Sequence, residues 1–346
     1  MSREIGMDRA WSWMREALLA IGLILILLGA MVVMTGTTPP MVVVESGSMM
    51  HDEVGAVGII DPGDIILVMS LERRSVITWA EATEAGGEHE GHRSHGMPGD
   101  VIIYRKNGGN DTPIIHRALL RALANLTEEA AAPGVCSSGV WDPSLKGPDS
   151  EGVCVLTFDV PGTGITNSTS ISIDLDYPCE PHGTLSIRDW KPQHTGFLTT
   201  GDNAKTNGCQ IDQMRAVRGD SDPHVSGSWG LIDENGQPVK AVRIDWVEGV
   251  AGPELPWFGA VKLAASANAG AVPRHAWNAI LLTIAAFIAI PVVIDLGINR
   301  LLKGAPEMHA GGAASASVDA AADEVVDGGG SGGGSGGENS AGQAEE

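Results

Sequence analysis

The chain has 346 residues, with 22 Lys and Arg against 43 Asp and Glu and a formal net charge of −21. That length holds one sizeable domain with additions, or two small domains. So acidic a surface stays hydrated and repels polyanions, which argues against nucleic acid as a partner and fits a salt-adapted protein.

Residues 1–40 read as a short N-terminus and a membrane helix. Ala17 to Met34 is an uncharged apolar run, long enough to cross a bilayer. No A-x-A cleavage pattern follows it, so a retained anchor is expected. Val42 to Met50 reads VVVESGSMM, a strand-like run entering a turn that carries Ser46 and Ser48. Met49 and Met50 fit either the core or a lipid-facing edge. Asp61-Pro62-Gly63-Asp64 is a turn before the strand IILVMS, and Pro98-Gly99-Asp100 repeats it before VIIYRK. Asp64 and Asp100 are expected to shape those turns.

Between the two, residues 71–97 read as a polar loop insertion. It contains His89, His92 and His95, but not in the H-E-x-x-H pattern, so neither metal nor cofactor is expected. Asn107-Gly108-Gly109-Asn110 is a hairpin signal, and TPIIHRALLRAL returns from it with His116 in an apolar run. These elements make residues 41–124 the first part of a β domain.

Residues 125–195 read as a β-rich insertion with runs such as VCVLTFDV and SISIDLDY. Residues 196–275 complete the main domain, starting with GFLTTGDN. Cys136, Cys154, Cys179 and Cys209 form no C-x-x-C pair. One or two disulfides are expected, and sequence cannot choose among the three pairings. Sequons at Asn110, Asn125 and Asn167 fit an external location.

A second apolar run, Trp277 to Ile298, marks a membrane helix over 276–299, with Pro291 tolerated inside it. Residues 300–346 are Gly, Ser, Ala and acid, a tail expected to be disordered. Arg3, Arg9 and Arg15 precede the first span, and Arg300 and Lys303 follow the second. That basic bias puts both termini in the cytoplasm and 36–275 outside, with Arg274 the one dissenting charge.

A serine hydroxyl becomes a nucleophile when a base takes its proton. Histidine suits that task, and a carboxylate can fix its tautomer. SGSM at Ser46 to Met49, PGDIILV, PGDVIIYR, IIHRAL at Ile114 to Leu119 and LTTGDNAKTNGCQIDQ at Leu198 to Gln213 occur in that order behind the first anchor. In this order they resemble the boxes of type I signal peptidase, in its archaeal and endoplasmic-reticulum, Ser-His branch. The resemblance covers roughly residues 15–120 and 196–260.

The resemblance implies a signal-peptidase-like β-barrel or sandwich, with Ser48 as nucleophile and His116 as general base. Ser46 would help the Ser48 N–H bind the oxyanion. Two aspartates compete for the third role: Asp212, at the acidic end of the last box, and Asp202 in GDN, which also reads as structural. Between them stands AKTNGCQI, where the family is usually shorter. The implied activity is cleavage of signal peptides from secretory preproteins, at a bilayer and with the translocation machinery as a further partner. Substrate would lie extended along a strand edge, with small side chains one and three residues before the cut. A specialised processing enzyme with few clients keeps the same chemistry. The alternative from a different class is a non-enzymatic cell-surface binding or adhesion module on two anchors.

Overall fold

The structure is a computed structural model that describes residues 2–51, 57–129, 132–145, 152–174, 184–207, 210–218 and 230–304. The acidic tail, Cys179 and Cys209 lie outside the described residues. The chain divides into two units, Met1–Ile290 and Pro291–Glu346, and the described part of the second is helical continuation.

Two long helices, α1 (Ser2–Thr35) and α6 (Arg274–Gly304), bracket the rest. Within them Trp13–Thr35 and Arg274–Arg300 have mean hydropathies of 3.0 and 2.6, and an 18-residue apolar stretch of each buries no residue against the protein; only end residues such as Thr35 and Ala276 are covered. Each is therefore long and apolar enough to span a membrane.

The body is mainly sheet. Its strands in chain order are β1 (Met41–Val43), β2 (Ile65–Met69), β3 (Arg93–Ser94), β4 (Met97–Pro98), β5 (Val101–Tyr104), β6 (Ile114–Glu129), β7 (Val140–Asp142), β8 (Val153–Val160), β9 (Ile165–Ser168), β10 (Ile171–Asp174), β11 (Thr184–Ile187), β12 (Gly196–Thr200) and β13 (Val247–Leu255). Nine of them form one antiparallel sheet ordered β1-β2-β13-β5-β6-β8-β7, with β12 also on β6 and β9 on β8. Short helices fill the connections: α2 (Trp79–Thr83), α3 (Ala204–Asn207), α4 (Met214–Arg218) and α5 (Ala260–Ala265).

Alternation in IILVM turns Ile66 and Val68 inward. They pack with Val44, Met49, Ile60, Val101, Ile103 and Ala251. Met49 is thus a core residue and pins the turn that carries Ser48. All four residues of β5 are buried, as expected of a central strand covered on both faces.

β6 is the spine. Its first half pairs with β5 and β12, and its second half pairs with β8. The Cys-containing segment therefore grows from the far end of the strand that carries His116. There Trp141 pairs with Cys154, and Cys154 is bonded to Cys136.

The 71–97 segment is more ordered than a polar loop. Thr78 accepts from the Glu81 N–H while the Glu81 carboxylate accepts from the Thr78 N–H, a capping box that starts α2. Asp100 holds the segment down by accepting from Arg74 Nη2 at 2.7 Å, the Ile77 N–H at 3.0 Å and His92 Nε2 at 2.9 Å. Asp64 plays a similar part, accepting from the N–H groups of Asp61 and Trp257. Both aspartates are buried anchors between segments as well as turn residues.

Candidate active site

Ser48 lies in the turn just after β1, and its backbone is clamped from outside. The Asn203 N–H donates to Ser48 O at 2.9 Å, and Asn203 Nδ2 donates to Gly47 O at 2.7 Å. Two residues earlier, Gly201 passes so close that a Cβ there would sit 2.5 Å from Ser48 O and 3.1 Å from His116 Nε2. A hydrogen at that position is a steric requirement.

His116 comes from β6, directly opposite Ile102 of β5. Paired residues share a face of the sheet, and so do residues two apart. Tyr104 pairs with Ile114, and Thr199 of β12 pairs with Ala118. Tyr104, His116 and Thr199 therefore all project to one side, where Asp212 meets them from the turn before α4.

The resulting chain of contacts is short. Ser48 Oγ is 3.0 Å from His116 Nε2, and His116 Nδ1 is 2.7 Å from Asp212 Oδ2. The same Asp212 oxygen accepts from the Tyr104 hydroxyl at 2.8 Å and from Thr199 Oγ1 at 2.6 Å. Thr199 is held in turn by Gln213, whose Oε1 takes the Thr199 N–H and whose Nε2 donates to Thr199 Oγ1. With the carboxylate as acceptor, Nδ1 carries the imidazole proton and Nε2 is left to accept from Ser48. Burial, and then the Asp212 charge, push the Tyr104 phenol well above its ordinary value, so it remains a donor.

Ser46 is exposed, with Oγ 3.3 Å from Ser48 Oγ. It stands beside Ser48, where a hydroxyl donor could serve an oxyanion. Asp202 is elsewhere. Its two oxygens accept from Arg117 Nε and Nη2 at 2.8 and 2.6 Å in a buried pair. Arg117 Nη1 also donates to the carbonyls of Ser94, Pro98 and Gly99. Adjacent strand residues face opposite sides, so His116 and Arg117 divide the two aspartates between them.

Ser48, His116 and Asp212 come together, and Asp202 does not join them. Tyr104, Thr199, Gln213 and Asn203 went unnoticed in the sequence as site residues. Tyr104 could have been found from its even spacing across the hairpin from His116; the others converge only through the fold. Among the described residues no group of three or more His, Cys, Asp or Glu is placed to hold a metal. His92 is committed to Asp100, and His95 lies 3.6 Å from Glu254.

A cavity of about 780 Å³ opens beside Ser48 and His116. Its walls include β1 and residues Ile114–His116 of β6. β1 ends the sheet, and β12 joins β6 only from Arg117 onward. Among the described residues both segments thus keep an unpaired edge toward an apolar groove. No family model, curated protein or solved structure matches the chain.

Proposed function

We propose that this chain is a membrane-anchored serine endopeptidase that removes signal peptides from secretory preproteins. The observation that carries the reading is the relay from Ser48 Oγ to His116 Nε2 at 3.0 Å and from His116 Nδ1 to Asp212 at 2.7 Å. The adjacent groove supports it, because an extended peptide can add to the free strand edges while its side chains enter apolar pockets.

In this mechanism Ser48 Oγ attacks the scissile carbonyl and His116 Nε2 takes the hydroxyl proton. Asp212 stabilises the imidazolium. Ser46 Oγ and the Ser48 N–H face the oxyanion. Collapse breaks the C–N bond as His116 returns the proton to the leaving amine, and the signal peptide stays esterified to Ser48. His116 then deprotonates a water, which releases the carboxylate and restores the serine.

The two apolar helices give the reading its location. With the body on the outer face and both termini in the cytoplasm, Ser48 follows the first span closely and meets a bond emerging beside the bilayer. The translocation machinery, which delivers such substrates, is the natural neighbour. An adhesion module on two anchors would have no use for this relay. Ser48→Ala in membranes should abolish preprotein cleavage while leaving the protein folded and inserted; retained cleavage would overturn the proposal.

A further inference from the structure

A second cavity, of about 690 Å³, lies where the 125–195 insertion meets the main domain. The reaction proposed above makes no use of it. Its walls include Trp141, Trp190 and Trp246, the cations Lys191, Arg215, Lys240 and Arg243, and one carboxylate, Asp233. In a chain of net charge −21, four cations against the one lining carboxylate are a local reversal of sign. Lys191 donates to Ser138 O, and Arg243 reaches Asp245. Among the described residues neither Lys191 nor Lys240 pairs with a carboxylate.

His194 supplies the chemical detail. It is 6% exposed and lines the same cavity. Its Nδ1 lies 3.2 Å from Thr195 O and so carries the proton, which leaves Nε2 an acceptor. That Nε2 is buried with no partner. Burial lowers the pKa of the ring and keeps it neutral. A buried acceptor of this kind costs stability until a donor arrives.

The occupant must therefore bring a hydroxyl or similar donor for His194, anionic groups for the lysines, and apolar ring surface to lie against the tryptophans. The cavity falls within the roughly 300–1,000 Å³ typical of compact ligands. Lys191 and Arg215 come from separate segments, and Lys240 and Arg243 from a third, which suits carboxylates spread along a molecule better than one phosphate. An acidic peptide brings carboxylates but neither ring faces nor a run of hydroxyls. We infer that this cavity is a binding site for an acidic oligosaccharide, one built of uronate-type sugars. It does not depend on Ser48 chemistry, so the two assignments can fail separately.

The test is calorimetric titration of the full-length protein in detergent with trigalacturonate, maltotriose, hexaglutamate and a nucleoside monophosphate. Trigalacturonate should bind at one site and maltotriose about tenfold or more weaker. Lys191→Gln with Lys240→Gln should weaken trigalacturonate by at least about tenfold, because each removes a charge-assisted contact, with preprotein cleavage unchanged. Trp141→Leu should weaken it as well; if that variant misfolds, the lysine pair still decides. The assignment is overturned if trigalacturonate fails to bind, if maltotriose matches it, if hexaglutamate or the nucleotide binds more tightly, or if the lysine variant is indifferent.

Discussion

Gly201→Ala is the sharpest probe of how Ser48 is held and of the role proposed for it. The new methyl would lie 2.5 Å from Ser48 O and 3.1 Å from His116 Nε2. A carbon–oxygen contact settles near 3.3 Å, so one side must retreat by about 0.8 Å. The Ser48 turn cannot retreat freely, because Met49 is 1% exposed in the core and Asn203 holds the carbonyls of Gly47 and Ser48. A shift of that size takes the 3.0 Å contact between Ser48 Oγ and His116 Nε2 beyond hydrogen-bond reach. Misplacement by about 1 Å costs about a hundredfold in rate, whereas overpacking costs about 1–3 kcal/mol of stability. The assay is single-turnover cleavage of a preprotein in detergent, with thermal unfolding in parallel. Gly270→Ala, where a Cβ meets nothing within 4 Å, is the control. A Gly201→Ala enzyme that folds and cleaves at the wild-type rate would refute the steric argument.

The two aspartates should separate cleanly. Asp212→Asn should lower cleavage by about 10⁴-fold with little loss of fold; Asp202→Asn breaks the buried pair with Arg117 and should cost about 3–5 kcal/mol in denaturant unfolding. The reverse pattern would exchange their roles. Tyr104→Phe removes one donor to Asp212 and should cost about 1.5–3 kcal/mol with a measurable fall in kcat. Because the folded Tyr104 pKa is raised, the unfolded chain releases that proton first above about pH 10. Wild-type stability should fall there as pH rises, and Tyr104→Phe should lack that share of the loss. His194 runs the other way. Desolvation lowers its folded pKa while Asp142 opposes and Arg243 and Lys240 reinforce the shift. Its contribution is present above about pH 6.5 and is lost as pH falls through the folded value. Thermal unfolding across that range should show wild type losing ground to His194→Gln; parallel curves would contradict the assignment.

The sequence carried the strands of the main domain well, because IILVM and VIIY are short β-branched runs set off by Pro-Gly-Asp turns. The two long apolar helices were plain for a similar reason: apolar residues on every side, over a length that can cross a bilayer, make an unbroken signal. The box favours Asp212, its acidic end, over Asp202 in GDN, but motif reading does not give the reason the two part. That reason is Arg117, the neighbour of His116 on the opposite face, which draws Asp202 away. α2 was legible but read as loop, because the polar Glu-Gly-His composition around it hid the Thr78–Glu81 cap. The bond between Cys136 and Cys154 depends on β7 lying against β8, a pairing at a distance that spacing does not encode.

The length of β6 carries a warning for anyone wishing to trim this protein. Deleting everything between its distal half and β12 would strip β8 away and lay bare a row of amide and carbonyl groups wanting a neighbour. Such an edge invites molecules to stack on one another. A minimal version must lose the end of the strand together with the segment that shelters it.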